Sequence, residues 1–577
     1  MPVLPPIFNR RALPLWLVNC SLLAVDCCFA AGEATTFRRP MDRIASLDPA
    51  QAVSVYASHA VALAYETLLR HAPAPPPYAP APALAGLPEV SEDGLTLVFT
   101  LNPAARFWPD PCLPEDGRPL TAHDVVYTFK RLCDKRGDAA SDWILLDRVR
   151  GMRDFADATP ALAEDAPYPE LDSLRALDDH TLQILLARPS PELPWLLTLP
   201  STGIVPHEAV AFYKNRFGGR SVGSGPYRLA SWRRNHEMVF ERVPEWHGWD
   251  AAKSTPFDRV AYRHIGDPAT QWLAFLAGEL DLLPGVPRDN WKAVVLPGGT
   301  LAPRLAQRGM ALHTAPALEA AYIAFNMDDP VLGQNKKLRQ ALNAAFNAPE
   351  WAAFNNHRVA PANGPVPPHV NGHDDGPFPY AFDLDLARRL LAEAGYPNGV
   401  DPATGEPLTL ALELGNNTPE TRESTELFCA FMARVGVRVE ANYNLFPAFM
   451  KKVARREAQM FRIGWVADYP DAENFLQLFY SPNASPGPNR SNYANPGFDR
   501  LYEAAAASRD AQERDALYAQ MQVLLREECP WIYLNVATAY SLAGPRVSGY
   551  FPHPFPYGME IFYAFCEKSS PPPSQQR

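Results

Sequence analysis

For its length the sequence is short of several things. Its 577 residues hold eight cysteines. Those past the first 30 residues, Cys112, Cys133, Cys429, Cys529 and Cys566, form no C-x-x-C pair, which argues against a structural zinc site. Five is an odd number, so at least one thiol is free or pairs between chains. Basic residues are outnumbered, 53 Lys and Arg against 64 Asp and Glu, and the net charge of −11 argues against a nucleic-acid partner, which needs a basic face. Beyond the N-terminus no apolar run is long enough to span a membrane. There is no P-loop and no dinucleotide fingerprint. Gly223-Ser224-Gly225 lacks the first glycine of a Gly-x-Ser-x-Gly elbow. His369 and His373 stand four apart, but Pro367, Pro368 and Gly372 forbid the helix that would align them on a metal. Neither an enzyme nor a cofactor is expected, although a triad built from distant positions leaves no local trace.

What is present is proline, 61 residues of it, which implies many loops and extended turns rather than a helical bundle. The length implies two or three domains. At the N-terminus Arg10 and Arg11 precede an apolar run from Leu13 to Ala30, followed by the small residues Ala31 and Gly32. These are the parts of a secretory signal over residues 1–30. Pro14, Asn19 and Asp26 make the same run a poor membrane anchor. Cys27 and Cys28 raise lipid attachment as an alternative, but Asp26 sits where a small residue is usual, so it is the weaker reading.

Further on, strand and helix patterns alternate, the signature of α/β layers. Leu95–Leu101 reads as a strand entered through the Asp93-Gly94 turn. Thr121 caps a helix with Asp124 in its first turn, and Asp267 and Asp383 cap two more that end on Gly278 and Gly395. The stretch 71–82 is rich in proline and reads as a stiff surface loop. Residues 567–577 read as a disordered tail. Two joints, near His313–Ala321 and Trp531–Tyr540, would let a middle domain hinge.

Several motifs, in order, resemble the peptide-binding subunits of ABC importers, in the group with nickel-binding relatives. They are Leu120-Thr-Ala-His-Asp-Val-Val-Tyr-Thr-Phe-Lys-Arg-Leu, Val222-Gly-Ser-Gly-Pro-Tyr-Arg-Leu, Ala277-Gly-Glu-Leu-Asp, Tyr322-Ile-Ala-Phe-Asn-Met, Arg339-Gln-Ala-Leu-Asn-Ala-Ala-Phe and Trp465-Val-Ala-Asp-Tyr-Pro-Asp-Ala-Glu-Asn-Phe. The resemblance implies a type II periplasmic-binding-protein fold, an α/β architecture of two lobes with two hinge strands. Lobe I would comprise 31–313 and 536–566, with a subdomain inserted at about 80–200, and lobe II 314–535. It also implies no catalysis, a periplasmic location, a small peptide as ligand, and the permease and ATPase of an importer as partners. A monomer is expected. Other small amines, opine-like compounds or metal chelates are alternative ligands, and ligand sensing is an alternative role.

Asp468 ends the apolar run Met460–Ala467, and ligands of open α/β sheets collect beyond the carboxyl ends of strands. The resemblance implies that it binds a peptide's α-ammonium. Arg462 lies on the same face by strand alternation, and its guanidinium suits a terminal carboxylate. Trp465 and Tyr469 flank Asp468. Val53, Val55 and Tyr56 lie in a second contact region of the family, whose backbone could pair with an extended peptide as an added strand.

Overall fold

The computed structural model describes residues 34–52, 54–163, 166–249 and 256–565. The expected signal, the tail, Val53 and Cys566 lie outside the described residues. Lobe I begins with β1 (Thr36–Met41) and α1 (Val55–Ala64). Ser54 caps α1, its hydroxyl accepting from the Ala57 amide at 3.1 Å. The chain then builds a subdomain from β2 (Thr96–Thr100), α2 (Ala122–Leu132), β3 (Leu174–Asp178) and β4 (Thr181–Leu185). The alternation of β2 buries Leu97 and Phe99, and the antiparallel sheet runs β2-β4-β3 with Glu89–Val90 on its edge. Asp124 accepts from the Thr121 amide at 2.9 Å and starts α2. The chain returns through β5 (Tyr227–Arg233), β6 (Glu237–Arg242) and β7 (Arg259–His264), which with β1 form a sheet of order β1-β7-β6-β5. After it come α3 (Pro268–Leu276), capped by Asp267, and β8 (Leu282–Leu283).

Two long strands join the lobes, β9 (Ala311–Phe325) and β13 (Trp531–Ala543). They pair antiparallel from Ala311–Ala543 to Ala324–Trp531, with register shifts between Ala317 and Ala320 and between Ala321 and Tyr322. One end lies beside β8 of lobe I, where Leu282 faces Ala543. The other end meets β12 (Met460–Val466) in lobe II. Lobe II holds α4 (Lys336–Ala345), α5 (Ala348–Phe354), α6 (Leu384–Glu393), β10 (Thr409–Leu414), α7 (Pro419–Ala433), β11 (Arg438–Tyr443), β12 (Met460–Val466), α8 (Pro496–Ala507) and α9 (Ala511–Glu528). The joint sheet runs β8-β13-β9-β12-β10-β11. Lobe II is filled by Ile323, Phe325, Leu342, Leu410, Phe428 and Phe431.

The proline-rich stretch differs from its expected surface loop. Leu69–His71 pairs with Pro80–Pro82, Tyr78 is 5% exposed, and the Tyr78 carbonyl accepts from Asn371 Nδ2 of lobe II at 3.3 Å. Its prolines stiffen a hairpin that touches the opposite lobe.

The Gly-Ser-Gly-Pro-Tyr turn has a steric reason. It passes the last turn of α1 so closely that a Cβ on Gly223 would lie 2.1 Å from the Ala64 carbonyl oxygen, and one on Gly225 2.5 Å from that of Leu63. Gly225 uses the approach to donate its amide to the Ala64 carbonyl at 3.0 Å. Gly223→Ala is expected to destabilise the protein by about 1–3 kcal/mol through forced backbone shifts. Gly266→Ala, where no atom lies within 4 Å, is the neutral control. Urea denaturation midpoints of the two variants check this.

Candidate functional site

The faces of β12 are unlike. Phe461, Ile463 and Trp465 pack into the core that runs under the subdomain and lobe II. The other face carries Arg462, Gly464 and Val466, and Val466 is 65% exposed. The ladder continues one residue past the strand, the Ala467 amide donating to the Leu318 carbonyl at 2.8 Å, and then reaches Asp468. Asn474, fully buried, fixes this turn: its Oδ1 accepts from Asp468 N at 3.1 Å and from Trp465 Nε1 at 2.9 Å. The Asp468 carboxyl makes no ion pair with any described residue. Burial pushes its pKa above the usual aspartate range, against a smaller opposing pull from Asn474. Tyr557, from the segment after β13, faces it from lobe I. Burial, and then the Asp468 charge, push the Tyr557 hydroxyl up to about 12.

Arg462 points toward α5 and α7. Its Nη1 donates to Ser424 Oγ at 2.7 Å, and its guanidinium lies 5.1 Å from the centre of the Trp351 ring. It makes no ion pair with a described residue; burial lowers its pKa, against a smaller raising pull from Glu420. A third charge, not anticipated from sequence, is Glu319 on β9. It stands directly opposite Val466 in the ladder, has no hydrogen bond or ion pair to a described residue, and is pushed up in pKa by burial.

The other candidates lie elsewhere. Trp465 is spent on Asn474 and the core. Tyr469 is 1% exposed, and its hydroxyl donates to Glu473. Val55 and Tyr56 are 53% and 38% exposed, but they open a helix instead of offering a strand edge. What they present is the free amide end of α1. Among the described residues Asp124, His207 and Glu208 have metal-ligand spacing. The Arg118 guanidinium already fills that space, donating to both carboxylates at 2.6 to 2.9 Å.

A family model for bacterial extracellular solute-binding proteins, family 5 middle, matches residues 79–487. The chain belongs to this family. It is 28% identical over 493 residues to heme-binding protein A of Haemophilus influenzae, covering 84% of this chain and 83% of that one. It is 27% identical over 481 residues to the dipeptide-binding protein of Escherichia coli, covering 81% and 83%. The unliganded open form of the periplasmic murein tripeptide binding protein MppA superposes with a TM-score of 0.74 at 24% identity, covering 92% of this chain and 98% of that one, a likeness that speaks for the fold alone. The fold is therefore the type II arrangement of periplasmic binding proteins. The family is one of extracytoplasmic solute binders, not of enzymes.

As in any two-lobed binder, the lobe contacts of this family member bear on closure. Glu473, five residues past Asp468, is buried between the hydroxyls of Tyr469 and Tyr502, which both donate to it. Across the interface stands Glu192 of the subdomain, paired with Arg148 at 2.9 Å. Burial, then Glu192, push the Glu473 carboxyl up to about 7; the tyrosines and Arg148 oppose them. The folded protein then holds a proton that the unfolded chain has released. That contribution to stability is complete below the ordinary glutamate pKa and is lost as pH rises through about 7. Glu473→Gln is expected to gain stability relative to wild type between pH 5 and pH 8, on the order of 1–3 kcal/mol. Denaturant titrations of both proteins at the two pH values check it.

Proposed function

We propose that this protein captures a short peptide between its lobes, in the periplasm, and delivers it to the permease and ATPase of an importer as a monomeric carrier. The observation that carries the reading is the Asp468 carboxyl, desolvated and without a cation. A buried carboxyl of this kind is stabilised by an ammonium brought by the ligand. The α-ammonium of a peptide supplies one, and Glu319 adds negative potential beside it. Arg462, equally short of a partner, would take the terminal carboxylate. Six residues separate Asp468 from Arg462, about 20 Å of strand at about 3.3 Å per residue. After the reach of both side chains, that span suits an extended peptide of about three residues. The relative that binds dipeptides supports this class of ligand.

Asp468→Asn is expected to weaken a free-amine tripeptide by roughly 30-fold or more, because losing one partner of a buried charge pair costs about 2–5 kcal/mol. N-acetylation of the peptide should weaken wild type comparably, and the two losses should not add, since both remove one interaction. Calorimetry on the four combinations measures this. Full additivity, or unchanged affinity in the variant, would overturn the assignment. In wild type the peptide should raise the melting temperature without being cleaved.

A further inference from the structure

Lobe I contains a second cavity, of about 270 Å3, and none of its lining residues belongs to the stretch 314–535. It therefore exists whether the lobes are open or closed. It lies at the C-terminal end of α1, between the Trp246–Gly248 turn and the Tyr557–Phe562 segment. The polar groups in its wall are unevenly paired. Glu66 and His247 form a pair, Oε1 to Nε2 3.1 Å, and the Asn102 amide lies 3.0 Å from His247 Nδ1. Burial works against a charged His247, but the hydrogen bond and charge of Glu66 outweigh it and raise its pKa. His71 adds no charge, its pKa pushed down to about 3 by burial and then by His553.

Arg70 is left over. Its guanidinium stacks 5.5 Å from the centre of the Phe562 ring and makes no hydrogen bond or ion pair with a described residue. Burial depresses its pKa, only partly offset by Glu66. In the same wall the indole of Trp246, a residue 7% exposed, has its N–H buried without an acceptor. Two donors without partners among the described residues, one of them cationic, thus line a pocket whose other faces, Pro82, Tyr557 and Met559, are largely apolar. Unpaired buried donors and charges are costly, and an anion offsets both.

We propose that this cavity binds a small organic acid, its carboxylate held by Arg70 and the Trp246 indole and its apolar body packed against Phe562 and Tyr557, independently of the ligand between the lobes. A monocarboxylate supplies one anionic group for Arg70, and the planar guanidinium suits two parallel bonds to it.

Calorimetry with benzoate as probe, and with benzamide as its neutral counterpart, tests this on the full chain. Benzoate should bind wild type saturably, and benzamide about tenfold or more weakly, since one decade is about 1.4 kcal/mol. Arg70→Gln should lose benzoate by a similar factor, while Arg70→Lys keeps most of the affinity and guards against a folding defect. Trp246→Phe should give an intermediate loss. Arg70→Gln should leave tripeptide affinity unchanged, and Asp468→Asn should leave benzoate affinity unchanged. The proposal fails if benzoate gives no saturable heat, if benzamide binds equally well, or if Arg70→Gln binds benzoate like wild type. It also fails if benzoate competes with the tripeptide and loses affinity in Asp468→Asn, which would put the acid in the interlobe cleft.

Discussion

The antiparallel ladder between β9 and β13 is the constraint on which the rest of the molecule depends. Both lobes hang from it, so neither can move against the other without bending it. Where it crosses from one lobe to the other, Ala315 faces Ala539 and Ala317 faces Ala537. Side chains this short leave little packing to break when the ladder flexes, and the register shifts beside them add local twist. The same ladder carries β12 on its lobe II edge, so the strand that presents Arg462 and Asp468 is fixed directly to the hinge. A change of hinge angle is felt at the site without a relay.

Against that frame the distribution of charge is uneven in an informative way. In other parts of the molecule buried charges are matched. Arg39 donates to Glu560 at 3.1 Å, with His59 in the same cluster, and Arg131 pairs with Asp48. The cleft breaks that pattern: half-buried Asp468, Glu319 and Arg462 make no ion pair with a described residue. Stability alone would not retain such groups, because each lowers it in the absence of a ligand. The proposed peptide would answer them, its ammonium at Asp468 and its carboxylate at Arg462.

Much of this was legible in the sequence where local rules decide the outcome. The caps Thr121, Asp267 and Asp383 mark real helix starts, because a side chain beside free amides needs no tertiary partner. The alternation along Met460–Val466 separates Arg462 from its core-facing neighbours. Tyr469 escaped the same logic: adjacency to Asp468 says nothing about the direction a side chain takes after a strand ends, and here it turns to Glu473. The 53–56 segment shows the limit of reading contact regions as strands, since Ser54 commits Val55 and Tyr56 to a helix. Glu319 could not be placed beforehand, because its position opposite Val466 depends on which strand pairs with which. Tyr557 comes from a distant part of the chain that only the return of β13 brings back.

The subdomain of lobe I shares a buried apolar core with lobe II, whereas the polar contacts near the hinge are weak. Arg288 reaches Glu423 at 3.0 Å, but the two side chains are 35% and 53% exposed, and an exposed pair of this kind contributes about 0–1 kcal/mol. Arg288 over Phe354 and Arg358 over Trp291, each at 5.4 Å, add about 0.5–1 kcal/mol apiece. Opposed to them is the approach of Glu473 to Glu192, whose charge helps push the Glu473 carboxyl up. A ligand shifts an open–closed equilibrium only by its differential affinity for the closed state. Asp468 and Arg462 both belong to lobe II, so a ligand paired with them favours closure only through what it also touches on lobe I, where Tyr557 stands against Asp468.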